Sequence, residues 1–198
     1  MNAQTKRNLI PYLIVLVTGV IWAATFSLAI IATQSGAHPI GLAFWQALGG
    51  ALIMFLVCVA KRRWPGRSRT DWLRIIVIAF LGTALPGTLY FYAAIKVPAG
   101  ILALTIATVP MLTYAAALCF RAESFSIIRL SGVACGILGI VLLSQPEALP
   151  DPGLLPWVAL ALLCALCYTA ENIFVDLCVP RQTLLEPVLF GALLIASA

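Results

Sequence analysis

Residues 9–32, LIPYLIVLVTGVIWAATFSLAIIA, form an uncharged apolar run near the start of the chain. A helix of about 20 apolar residues crosses the roughly 30 Å hydrocarbon core of a bilayer, so this run is long enough to span a membrane. Lys6 and Arg7 precede it, but further apolar runs follow it instead of a soluble domain, which argues against a cleaved signal peptide. The run predicts a first transmembrane helix.

Further apolar runs follow the first one, separated by short polar breaks. The predicted spans are about 9–32, 40–60, 75–95, 97–120, 127–144 and 154–175, with an incomplete span over 187–198. The chain is 63% hydrophobic and 10% charged, whereas a soluble domain is about half apolar and about a quarter charged. We therefore expect an all-α, polytopic transmembrane helix bundle that crosses the bilayer about six or seven times.

Basic residues are distributed unequally between the two sets of predicted connectors. Of the 12 Lys and Arg residues, only Lys96 lies on one side, and the others lie on the side that carries the amino terminus, residues 61–74, residues 121–129 and Arg181. The positive-inside rule places that basic side in the cytoplasm. The connectors 33–39 and 145–153 are then external, in a multi-pass protein of the plasma membrane or the bacterial inner membrane.

An internal repeat is indicated at an offset of 145 positions, which aligns Leu9 with Leu154 and Pro11 with Pro156. The two helices that begin there enter the membrane from opposite sides, so the repeat has the inverted topology that is common in secondary transporters. We expect a first repeat over 1–145 and the start of a second over 146–198.

The last run supports the same division, because Pro187 opens it much as Pro39 opens the second span. Its residues 187–198 would cover only roughly 18 Å as a helix. The expected architecture is therefore a truncated ten-helix one, and we expect that these 198 residues alone do not catalyse transport.

Residues 90–144, YFYAAIKVPAGILALTIATVPMLTYAAALCFRAESFSIIRLSGVACGILGIVLLS, resemble the EamA repeat of the drug/metabolite transporter superfamily. The resemblance rests on the following residues, of which Trp22 and Pro39 extend it over residues 9–144: Ala93, Ala94, Lys96, Ala99, Pro110, Glu123, Gly132, Gly139, Trp22 and Pro39. It implies a transporter, with ten spans in members that have two repeats. Gln46 departs from it, because many relatives carry arginine in a similar context.

Prolines near the middle of two spans suggest where a substrate could bind. Pro86 and Pro110 free the carbonyls of Gly82 and Ile106, and irregular backbone at that depth is tolerated beside protein or a watery cavity. The candidate substrate-binding residues are the polar and aromatic ones at similar depth: Trp22, Thr25, Gln46, Tyr90, Thr105, Thr108, Tyr168 and Glu171. The alternative is that the threonines bond their own backbone and that the aromatic rings fill volume.

Glu171 is the most prominent polar residue of the sixth predicted span. A carboxylate costs about 2.5–3.5 kcal/mol at a helix centre on insertion scales, so Glu171 is a candidate to bind a cationic substrate or carry a coupling proton. The alternative is that its side chain reaches interfacial water or Arg181. The Cys164–Cys167 pair lies inside an apolar helix without a second ligand pair, so we expect no metal site.

The leading functional interpretation is a secondary transporter that moves a small metabolite or drug-like solute by alternating access. The alternatives are a seven-helix receptor or a membrane protein that transports nothing. An intramembrane enzyme is the least favoured, because the only histidine is His38 and no GxSxG or HExxH motif occurs. The expected partners are a small-molecule substrate and the lipid bilayer. A coupling proton and a second copy of the chain, as a homodimer, are further candidates. We expect no nucleic acid and no cofactor.

Overall fold

The computed structural model describes residues 3–66, 68–143, 152–180 and 182–198, and the regular elements within these ranges are all helical. Within these ranges seven helices follow one another: α1 (Ala3–Gln34), α2 (Pro39–Lys61), α3 (Arg69–Ala94), α4 (Ala99–Cys119), α5 (Ile127–Leu143), α6 (Leu155–Cys178) and α7 (Leu185–Ala196). The predicted all-α bundle is confirmed. Arg67, Arg181 and most of the predicted connector 145–153 lie outside the described residues.

Five stretches of these helices are long and apolar enough to cross a membrane: Pro11–Gln34, Pro39–Lys61, Arg69–Ala94, Ala99–Cys119 and Leu155–Cys178. Helices α5 and α7 are shorter and also apolar. Large aliphatic side chains such as Ile21 and Leu56 point outwards and are more than half exposed. An apolar surface of this kind is stable in contact with lipid tails, which supports a multi-pass membrane protein.

Helix α3 widens in its middle. Residues Phe80–Ala84 form a π turn, in which the Leu85 N–H donates to the carbonyl of Phe80, five residues earlier. Pro86 follows directly and has no N–H, so the carbonyl of Gly82 loses its usual donor four residues ahead. The backbone irregularity predicted at Gly82 is therefore present.

Helix α4 is interrupted at a similar depth. Its two segments, Ala99–Ile106 and Val109–Cys119, are joined by a tighter turn just before Pro110. There the Thr108 N–H donates to the Thr105 carbonyl at 3.2 Å, and the Met111 N–H donates to the Thr108 carbonyl at 3.0 Å. Because Pro110 cannot donate to Ile106, the second predicted break is also present.

A tightly packed core closes the end of the bundle that carries the connector with Lys96, which we call the Lys96 end. Ala93 of α3, Leu102 of α4 and Ala161 of α6 are fully buried there, together with Ala29 of α1. Small residues allow the α3 and α6 backbones to approach closely. No comparable core occupies the opposite, arginine-rich end between α1 and α4 in the described part of the chain.

Helix α7 packs between α2 and α3 through two glycines. A Cβ atom on Gly191 would lie 2.9 Å from Cγ2 of Ile75, and one on Gly50 of α2 would lie 3.2 Å from Cδ1 of Leu193. Helices α2 and α7 are the pair that the predicted repeat makes equivalent, and they pack directly on each other. The division of the chain into two repeats stays a prediction.

An ion-pair cluster joins α2 and α7 at the arginine-rich end. Glu186 accepts a hydrogen bond from Lys61 Nζ at 2.6 Å and another from Arg63 Nη1 at 3.1 Å. The hydrogen bond from Lys61 lowers the pKa of Glu186 below its ordinary value, and the nearby charges of Lys61 and Arg63 add to the effect. The cluster lies at the edge of the bundle, before the apolar part of α7 begins.

Replacing Glu186 by glutamine is expected to lower the unfolding temperature slightly at neutral pH. Because the folded-state pKa is depressed, the stabilisation is present above the unfolded pKa of about 4.3 and is lost as the pH falls through the folded value. The difference between the two proteins should therefore shrink progressively as the pH is lowered below about 4.3. Thermal unfolding in detergent measures it, and a difference that persists unchanged in acid would contradict it.

Candidate functional site

A cavity of about 970 Å³ lies between α1, α4 and α6. It extends from the middle of the bundle to the connector between α4 and α5, at the arginine-rich end. Four aromatic side chains line it together with small aliphatic ones, and the aromatic residues are Trp22, Phe26, Tyr114 and Tyr168. The core at the Lys96 end stands between this cavity and the other side of the bundle.

Glu171 of α6 reaches into this cavity and lies against the π turn of α3. A Cβ atom on Gly82 would lie 3.0 Å from Cγ and 3.1 Å from Cδ of Glu171, so a larger residue at position 82 would require the Glu171 side chain to move by a few tenths of an ångström. Among the described residues, no cation lies within ion-pair distance of the carboxylate. Arg181, the partner in the alternative interpretation, lies outside the described residues.

Two polar side chains continue the cavity wall beside Glu171. Asn172 Nδ2 donates to Thr113 Oγ1 at 3.4 Å and so joins α6 to α4. Both residues line the cavity, whose other walls are mainly apolar. At the inner end of the cavity, these two polar side chains therefore lie beside the Glu171 carboxylate.

The connector between α4 and α5 forms the mouth of the cavity. Glu123 and Arg129 form an ion pair there, and both side chains line the cavity. The hydroxyl of Tyr114 accepts the Ser126 N–H at 3.0 Å and lies 3.4 Å from the Ser126 carbonyl. One aromatic side chain in the cavity wall therefore holds the connector in place.

A second, smaller cavity of about 210 Å³ lies on the other side of Tyr168 and Gly82, which line both spaces. Gln46 of α2 and Thr83 of α3 supply its polar groups. Gln46 therefore lies beside the main cavity instead of in it, at the inner contact of α2, α3 and α7.

Three predicted threonines bond to the backbone of their own helices. Thr25 Oγ1 donates to the Trp22 carbonyl at 2.6 Å, and Thr108 Oγ1 donates to the Thr105 carbonyl at 2.6 Å. Thr105 Oγ1 donates to the Ile101 carbonyl at 2.8 Å. These hydroxyls do not line the two cavities in the described part of the chain, and they behave as the alternative interpretation anticipated.

Tyr90 lies between α1 and α3, away from the main cavity. Its hydroxyl donates to the Thr25 carbonyl at 3.4 Å, and its ring meets the Phe26 ring edge-on with 5.8 Å between centroids. Of the eight predicted residues, the structure thus brings Trp22, Tyr168 and Glu171 together in the main cavity. A role for any of the eight in substrate binding stays a prediction.

Sequence reasoning missed several residues that line the cavity. One face of α4 contributes residues at spacings of three and four, namely Ala103, Ile106, Ala107, Pro110, Thr113, Tyr114 and Ala117. This periodicity was readable in the sequence and would have led from Pro110 to Thr113 and Tyr114. Gly82 had no such signal, because its contact with Glu171 joins distant parts of the chain.

The sequence also matches a known protein family. The model of the EamA-like transporter family matches residues 9–145, which is more than two thirds of the chain. The chain belongs to this family. EamA-like proteins are drug/metabolite transporters and not enzymes, and the membrane-spanning helices found here fit a transporter. No curated protein and no solved structure matches the chain.

Proposed function

We propose that this EamA-like protein is a secondary transporter that moves a small metabolite or drug-like solute by alternating access. The observation that carries the proposal is the main cavity, which begins in the middle of the bundle and continues to the arginine-rich end. The buried core at the Lys96 end separates it from the other side. A cavity within the bundle, with a carboxylate in its wall beside two helix breaks, is what a substrate site of such a transporter requires.

The two helix breaks support a binding site at this depth. The π turn of α3 and the interruption of α4 both flank the cavity, and irregular backbone within a membrane is tolerated where it is buried in protein or lines a watery space. Glu171 lies against the first break and is our candidate for carrying a coupling proton.

The transport proposal can be tested with the full-length protein in proteoliposomes. A panel of labelled amino acids, aromatic and aliphatic amines, and monosaccharides would be offered outside, with each unlabelled solute inside. We expect saturable uptake of at least one solute, accelerated by the same solute inside, because a carrier reorients faster when loaded. Uptake of every panel member at the rate of protein-free liposomes would refute the proposal.

The orientation of the bundle is a separate proposal, with the arginine-rich end in the cytoplasm. We expect a cysteine at position 68, replacing Ser68, to react with an impermeant maleimide only from the cytoplasmic side. A cysteine replacing Ser35 should react only from outside. The background would carry serine at the exposed Cys119, Cys135 and Cys178. Reversed labelling of the two positions would overturn the orientation.

A further inference from the structure

We propose that the main cavity selects a lipophilic cation, with the Glu171 carboxylate as its counter-ion and the aromatic rings of the cavity wall as additional partners. This inference rests on the proposed transport function and names the class of its substrate.

The charges of the cavity favour a cation. Among the residues that the structure describes, three acidic or basic side chains line it, and two of them, Glu123 and Arg129, form an ion pair at the mouth. Glu171 is the third, and no cation among the described residues pairs with it. An anionic ligand deep in the cavity would approach this carboxylate without a compensating positive charge, whereas a cation would supply the missing one.

The aromatic rings favour the same charge. Trp22 and Phe26 of α1, Tyr114 of α4 and Tyr168 of α6 all line the cavity, so three helices contribute rings to its wall, and Trp22 is also 59% exposed. The face of an aromatic ring attracts a cation within about 6 Å of its centroid, and tryptophan does so best. The polar pair formed by Asn172 and Thr113 adds hydrogen-bonding capacity beside the carboxylate without adding charge.

The remaining walls favour a cation with little affinity for water. Ala103, Ile106, Ala107 and Val109 line the side formed by α4 and offer no side-chain oxygen that could replace the water around a small ion. A large cation with dispersed charge loses less hydration on entering such a space and gains apolar contacts. The cavity of about 970 Å³ is large enough for a drug-sized ligand.

The test measures binding of tetraphenylphosphonium, a permanent lipophilic cation, to the full-length protein in nanodiscs of zwitterionic lipid. Equilibrium dialysis of labelled probe, corrected with empty nanodiscs, gives the affinity. Tetraphenylborate, with nearly the same shape and the opposite charge, is the ligand control. The variants are Glu171→Gln and Asp176→Asn, which remove a carboxylate from the same helix inside and outside the cavity.

We expect saturable binding of tetraphenylphosphonium to the wild-type protein, and at least a tenfold weaker affinity in Glu171→Gln. Asp176→Asn should bind like the wild type. Glu171→Asp, which keeps the charge, should retain the preference for the cation, and it serves as the test variant if Glu171→Gln does not fold. Trp22→Leu should weaken binding several-fold by removing one ring.

Equal affinity in the wild type and Glu171→Gln would overturn the proposal, and so would tighter saturable binding of tetraphenylborate. The outcome is separable from that of the transport proposal. Saturable flux of a neutral or anionic solute without cation binding would refute the proposed cation specificity and leave the transport proposal standing. Cation binding that depends on Glu171, without flux of any solute, would support the cation site and refute the transport proposal.

Discussion

Replacing Glu171 by glutamine is expected to reduce saturable flux through the full-length protein by roughly tenfold to a hundredfold. A hydrogen bond to a charged group contributes about 1.5–3 kcal/mol, and each 1.4 kcal/mol corresponds to about tenfold in affinity. The carboxylate lies against Gly82 at the inner end of the cavity, so its charge is available to a solute there.

The measurement compares flux with membrane abundance across a pH series. Abundance of Glu171→Gln should stay near that of the wild type, because glutamine has almost the same shape, and the pH dependence of flux should flatten if the carboxyl exchanges protons. Asp176→Asn is the matched control and should change neither quantity. Unchanged flux and unchanged pH dependence at normal abundance would leave Glu171 as an interfacial carboxylate without a role in transport.

Replacing Ala161 by leucine is expected to destabilise the bundle by about 1–3 kcal/mol. Ala161 is fully buried in the core at the Lys96 end, and a larger side chain there must push α6 away from α3. The midpoint of thermal unfolding in detergent should fall, together with the monodisperse fraction after heating.

Ala170→Leu provides the matched control for that experiment, since it makes the same change on the same helix at an exposed position. It should leave the unfolding midpoint nearly unchanged, because the added side chain meets lipid or detergent. Equal midpoints for Ala161→Leu and Ala170→Leu would show that the core is not closely packed at Ala161.

The helices of this protein could be predicted from sequence because lipid imposes a simple rule. A span needs a long apolar run, and a proline inside it must release a carbonyl, so both the spans and the breaks near Gly82 and Ile106 follow from local sequence. Trp22, Tyr168 and Glu171 were also placed among the candidate residues, and they meet in the main cavity.

The other candidates show where local reasoning ends. Thr105 and Thr108 lie between the positions of α4 that line the cavity, which recur at spacings of three and four on both sides of the interruption. A threonine hydroxyl also has a carbonyl of its own helix within reach, and no sequence pattern tells whether it will use it. Tyr90 lies in the contact between α1 and α3, where its ring meets Phe26, and its role in substrate binding stays a prediction.

The π turn in α3 has a consequence for insertions and deletions. A regular helix turns by about 100° and rises 1.5 Å per residue. A π turn takes up one extra residue by widening, so removing one residue of Phe80–Ala84 would close the turn and leave the rest of α3 near its present orientation. Removing one residue of the regular segment 85–89 would instead rotate the residues beyond it by about 100° and take Tyr90 away from Phe26, while the hydropathy of the span would hardly change. The first deletion changes the surface offered to Glu171 and the second changes the contact between α1 and α3, so the position of a gap in α3 decides which contact is lost.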